Sequence, residues 1–73
     1  MALSDKIKAL LSLEGKKIYE LAEHFGMSPP AMRNKMCRNS FSTSDLIKVT
    51  EFLGAKLVIE CKDQKITLDK GDL

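Results

Sequence analysis

Residues 21–36, LAEHFGMSPPAMRNKM, keep their apolar residues at helical spacing, yet a glycine and two consecutive prolines interrupt them. Proline inside a helix removes a backbone donor and clashes with the preceding turn, at a cost of about 3 kcal/mol or more. The stretch therefore reads as two helices with a corner between them. Gly26 falls where a left-handed residue closes a helix. Ser28 suits an N-cap, and Pro29 the first helical position, where a missing N–H costs nothing. Pro30 is still among the first four N–H groups, which have no intrahelical partner. The spacing predicts helices over 17–25 and 28–38, joined by Gly26-Met27-Ser28.

The flanking segments follow the same logic. Leu3, Ile7, Leu10 and Leu11 share a helical face, which predicts a helix over 4–13, capped by Ser4 and stopped by Gly15. In the second helix Ile18, Leu21, Ala22 and Phe25 follow i, i+3, i+4, i+7, and in the third Met32 and Met36 continue an apolar stripe. Ser42 with Asp45 resembles a capping box opening a fourth helix, whose Leu46, Val49, Thr50 and Leu53 share a face flanked by Ile47 and Phe52. Gly54 ends it.

The tail KLVIECKDQKITLDK changes period from 3.6 to 2 and predicts a hairpin over 56–69. With Asp63-Gln64 as the turn, Cys61 faces Ile66, Glu60 faces Thr67 and Ile59 faces Leu68. One face then carries Leu57, Ile59, Cys61, Ile66 and Leu68, and the other is mostly polar. The expected fold class is α+β, mainly α. Four short helices precede a C-terminal β-hairpin in a single domain over 1–73, with a helical core over 4–54.

Seventy-three residues make one small domain, which buries only about 60% of its unfolded surface. No apolar run approaches the ~20 residues of a membrane span, and no secretory signal is evident, so a cytoplasmic protein is expected. Cys37 and Cys61 read as free thiols in that compartment, a disulfide between them being the alternative. With one histidine in the chain, a structural zinc site is implausible. There is no Gly-rich phosphate loop, metal-ligand set or nucleophile-base pattern, so neither enzyme activity nor a cofactor or small-molecule ligand is expected. Met27, Met32 and Met36 read as core filling, and His24 as a solvated side chain.

Charge is unevenly placed. Residues 1–40 hold seven Lys or Arg against four Asp or Glu, a net +3, whereas residues 41–73 hold five against six, a net −1. Any footprint for a polyanion lies in the first half.

IYELAEHFGMSPPAMRNKM resembles the Cro-type helix-turn-helix of the XRE family, whose fold is lambda-repressor-like. The likeness lies in the Leu21-Ala22 pair, where a small residue is needed under the crossing helix, in Phe25-Gly26-Met27-Ser28, and in Met32. SFSTSDLIKVTEFLG resembles the closing helix of that family, so the likeness covers residues 4–54. The hairpin resembles the strands through which Cro-like proteins often dimerise.

This resemblance implies a transcriptional regulator, of repressor type, that binds double-stranded DNA as a homodimer on a palindromic operator. Residues 28–38 would be the recognition helix in the major groove. Carried over singly, Ser28, Pro29, Pro30, Arg33 and Asn34 are the expected base contacts, with Arg33 suited to guanine and Asn34 to adenine. Lys16, Lys17, Lys35, Arg38, Asn39 and Ser40 are the expected contacts to the DNA backbone. Lys17 and Ile18 stand where many relatives have a polar cap and a glutamine, so a lysine would replace the glutamine's phosphate contact. The rival reading is a protein-interaction module, an antitoxin or adaptor, because fold alone does not fix function.

Overall fold

The computed structural model describes residues 2–73. In chain order they form α1 (Leu3–Leu13), α2 (Ile18–Phe25), α3 (Pro29–Arg38), α4 (Thr43–Leu53), β1 (Leu57–Cys61), β2 (Gln64–Leu68) and a terminal 3-10 turn, η1 (Lys70–Asp72). The architecture is α+β, mainly α. The chain divides into two compact units, one ending at Phe41 and the other spanning Ser42–Leu73.

In the first unit the apolar stripes become a core of Ile7, Leu11, Leu21, Ala22, Met32 and Met36, each under a tenth exposed. At roughly 1.5–3 kcal/mol per large apolar side chain, this burial is the main stabilising term of the unit. Leu21 and Ala22 are fully buried where α2 packs on α3. A larger residue than alanine there would hold the two helices apart.

The corner between α2 and α3 has the expected chemistry. Gly26 is left-handed, with φ 70° and ψ 30°. Its N–H donates to the Glu23 carbonyl at 3.0 Å, and the Met27 N–H donates to the Ala22 carbonyl at 2.9 Å. This pair of bonds satisfies carbonyls the helix leaves open. Ser28 then caps α3, its Oγ accepting from the Ala31 N–H at 3.3 Å, and the two prolines fill the first turn.

α3 closes the same way without a glycine. Asn39 takes φ 55° and ψ 36°, a conformation asparagine tolerates better than most residues. Its N–H donates to the Met36 carbonyl at 3.1 Å and that of Ser40 to the Lys35 carbonyl at 3.2 Å.

Ser4 departs from expectation. The N-cap of α1 is Ala2, whose side chain makes no capping bond, and Ser4 lies inside the helix, 5% exposed. Its backbone N–H donates to Asn39 Oδ1 at 2.8 Å, and its hydroxyl reaches the Met36 carbonyl and, at 2.9 Å, Asn39 Oδ1. The cap of α1 is thus supplied by a side chain at the end of α3. Ser4 precedes Ile7 and Leu11 at i, i+3, i+7, so it sits on the buried stripe itself. A hydroxyl carried inward must find acceptors there.

In the second unit the capping box holds as read: the Ser42 N–H donates to Asp45 Oδ2 at 3.0 Å, and the Asp45 N–H donates to Ser42 Oγ at 3.1 Å. The burial on α4 is wider than the expected stripe. Ile47, Val49 and Leu53 are buried, while Leu46 and Thr50 are half-buried. Ile47, expected as a flank, is nearly inaccessible.

The hairpin keeps the expected face but not the expected register. Leu57 pairs with Leu68, Val58 with Thr67, Ile59 with Ile66, Glu60 with Lys65 and Cys61 with Gln64, which makes Lys62-Asp63 the turn. The expected pairing would have set Leu57 opposite Lys70. The observed one sets Leu57 on Leu68 and Ile59 on Ile66, at the cost of a left-handed Lys62 with φ 55°. The observed register exchanges the expected Ile59–Leu68 and Cys61–Ile66 pairs for Leu57–Leu68 and Ile59–Ile66, so that a leucine replaces a cysteine in the apolar ladder. Because the slip is two residues per pair, every side chain stays on its expected face.

η1 was not anticipated. Asp69 Oδ1 accepts from the Gly71 N–H at 2.8 Å, and the Asp69 N–H donates to Asp72 Oδ2 at 2.8 Å. Asp69 and Asp72 repeat the spacing of Ser42 and Asp45.

Candidate nucleic-acid interface

α3 is short, tightly held and two-sided. Met32 and Met36 are buried, Ala31 and Lys35 half-buried, and Pro29, Pro30, Arg33, Asn34, Cys37 and Arg38 exposed. With ~3.6 residues per turn, Pro30 and Cys37 lie on the midline of the exposed face. Arg33 lies on one flank, Asn34 and Arg38 on the other.

Two open grooves border that face, both within the first unit. One, of about 540 Å³, is lined by Arg33 together with Lys8, Lys16, Lys17 and Tyr19. The other, of about 300 Å³, is lined by Asn34, Lys35, Arg38 and Ser40, with Met27 and Ala31. The residues expected to read bases are therefore divided: Arg33 sits with Lys16 and Lys17, and Asn34 with Lys35, Arg38 and Ser40.

Several expected contacts have structural duties as well. Ser28 Oγ caps α3 as an acceptor, which leaves its own O–H as a donor. Lys35 places its ammonium 5.5 Å from the centre of the Phe41 ring, a cation–π arrangement that restrains it. Asn39 gives its Oδ1 to Ser4, and its carboxamide NH₂ takes no part in that contact. Lys17 is the N-cap of α2. A lysine has no acceptor, so the helix start is held instead by Glu20 Oε1, which accepts the Lys17 N–H at 3.0 Å.

One residue of this surface was missed by sequence reasoning: Lys8 on α1 lines the same groove as Arg33 only through the fold, and no local pattern points to it. Cys37, expected as a free thiol, is free and exposed on the α3 face. A further signal is the lack of any Asp or Glu between Glu23 and Asp45, a stretch that contains Arg33, Lys35 and Arg38. The whole of α3 and both its ends carry only positive charge.

His24 is exposed, its ring edge-on to Phe25 with centroids 6.3 Å apart. Among the described residues no group of three or more His, Cys, Asp or Glu is placed to hold a metal ion. Among the described residues no helix is long and apolar enough to cross a membrane. Comparison with known proteins returns no family model, no curated protein and no solved structure that matches the chain.

Proposed function

We propose that this chain is a sequence-specific, double-stranded-DNA-binding transcriptional regulator of the Cro-type helix-turn-helix kind, acting as a repressor in the cytoplasm. The observation that carries the reading is the exposed face of α3. It is rigidly seated by Met32 and Met36, bounded by cations on both flanks, and free of carboxylates from residue 24 to residue 44. A helix of about 10–12 Å diameter fits the major groove, and fixed cations on its flanks match the phosphates on either side of that groove. Asn34 is the residue best suited to adenine, through its paired donor and acceptor. Pro29 and Pro30 offer apolar contact to thymine methyl groups.

The hairpin supports action as a homodimer. Ile59 and Ile66 are cross-strand neighbours on one face, 55% and 59% exposed, and a second copy would remove both from water. The same exposed pair favours the rival reading, a module that docks on another protein.

Selection from a random duplex library at two salt concentrations tests the proposal. A palindromic consensus with half-sites about one helical turn apart, bound with a steep salt slope, is the expected result. Enrichment of no sequence, with only weak salt-sensitive binding, would favour the protein-docking module.

A further inference from the structure

The carboxamide of Asn39 is engaged on one side only. Its Oδ1 accepts the Ser4 N–H at 2.8 Å and lies 2.9 Å from the Ser4 hydroxyl, whose single proton is shared with the Met36 carbonyl. A backbone N–H can only donate, so the branch of the carboxamide turned to α1 is its oxygen. The amide is planar, and fixing the oxygen therefore fixes the NH₂ branch as well. That NH₂ makes no hydrogen bond among the described residues, and Asn39 is exposed, whereas Ser4 is only 5% exposed. A donor is thus held from the buried side and left open on the other.

Its surroundings suit an anion. The carbonyls that end α3 would repel one, but they are occupied. That of Met36 accepts the Asn39 N–H and meets the Ser4 hydroxyl, and that of Lys35 accepts the Ser40 N–H. The start of α1, the positive end of that helix, abuts the carboxamide through the Ser4 N–H. Donation into Oδ1 draws electron density from the nitrogen and strengthens the NH₂ as a donor. In sequence Asn39 stands between Arg38 and Ser40, both exposed, and no carboxylate occurs between Glu23 and Asp45.

We propose that Ser4 is a positioning residue for DNA binding: from inside the fold it sets Asn39 so that the carboxamide NH₂ donates to one phosphate of the DNA backbone. The donor's role rests on the duplex reading. Asn39 then has two separable duties, its oxygen capping α1 and its nitrogen holding the phosphate. A residue of α1 that touches no DNA governs a contact made at the end of α3. A neutral donor of this kind fixes register on the duplex and releases no counterion.

The test uses the duplex enriched by selection and a set of copies in which one phosphate at a time is replaced by a neutral methylphosphonate. Binding is followed by fluorescence anisotropy for the wild type, Ser4→Ala, Asn39→Gly and Asn39→Asp. At one phosphate of each half-site, the replacement is expected to weaken the wild type about tenfold and Asn39→Gly less than about twofold. At that same phosphate Ser4→Ala is expected to lose about threefold, with its losses at the other phosphates unchanged. Asn39→Asp keeps an acceptor for Ser4 and is expected to hold its thermal midpoint while losing the same coupling. In the free wild-type protein, the ¹⁵N heteronuclear NOE of the Asn39 carboxamide should exceed that of the exposed Asn34, a reading that needs no variant.

Losses in Asn39→Gly that simply add to those of every phosphate replacement overturn the donor. Ser4→Ala coupling equal to that of the wild type, or an Asn39 carboxamide as mobile as that of Asn34, overturns the positioning role. Both results are read on duplex-binding protein or on free protein, so they leave the DNA reading in place. A chain that enriches no duplex, with the Asn39 carboxamide still rigid, refutes the DNA reading and the phosphate contact with it.

Discussion

The three-helix unit and the hairpin start from equally clear amphipathic patterns and end differently. The stripes of α1, α2 and α3 become a core in which Leu21, Ala22 and Met32 are fully buried. The alternation of β1 and β2 also sorts side chains by face, yet no strand residue is buried, and Ile59 and Ile66 stay more than half exposed. A period therefore determines which side chains share a face, and burial needs a second surface to lie against that face. Three helices supply one another with such surfaces. The two-stranded ribbon meets α4 through β1, where Leu57 is half-buried, but Ile59 and Ile66 have no such surface, and a ribbon on its own is marginally stable in water.

The largest effect expected from this contrast is in the helical core. Leu21→Ala should cost about 2–5 kcal/mol, measured by chemical denaturation, whereas Ile66→Ala should stay within about 1 kcal/mol in the monomer. Equal costs would mean that the hairpin face is covered in solution, and the contrast would fall.

Next is the polar knot that ties α1 to the end of α3. Ser4→Ala removes a buried hydroxyl and leaves fewer donors for the Met36 carbonyl and Asn39 Oδ1, at an expected cost of about 1–3 kcal/mol. Asn39→Ala should be non-additive with it by at least ~0.5 kcal/mol in a double-mutant cycle. Simple additivity would show that the two residues act separately.

In the hairpin, Lys62→Gly should stabilise the fold by about 1 kcal/mol, since the turn holds that residue at φ 55°. A loss of stability, followed as a fall in thermal midpoint, would mean that the lysine side chain contributes more than its backbone strain costs. The smallest effect on stability, and the sharpest on assembly, is expected for Ile59→Lys combined with Ile66→Lys. On the proposed homodimer, sedimentation should change from dimer to monomer while the thermal midpoint of dilute protein stays within ~4 °C, as a cost below ~0.5 kcal/mol implies. An unchanged dimer would move the interface away from this face.

The DNA-facing candidates divide in a similar way between local and tertiary information. Ser28, Pro29 and Pro30 could be placed from the sequence because a cap and a proline act on the turn they occupy. The exposure of Arg33 and Asn34 followed from the inward spacing of Met32 and Met36. The grouping of Arg33 with Lys8 could not be placed, because the two residues lie far apart in the chain and meet only when α1, α2 and α3 pack.

By itself, then, the sequence determined the four helices, their corners, the capping box at Ser42 and Asp45, and the two faces of the hairpin. Each of these depends on residues within about one turn or one strand pair of one another. The tertiary structure alone decided that Ser4 is a buried tie to Asn39, that Ile47 is enclosed, that the hairpin turns at Lys62-Asp63, and that four cations share one groove. Those outcomes depend on which distant surfaces meet and on the balance of small packing and hydrogen-bond terms once they do.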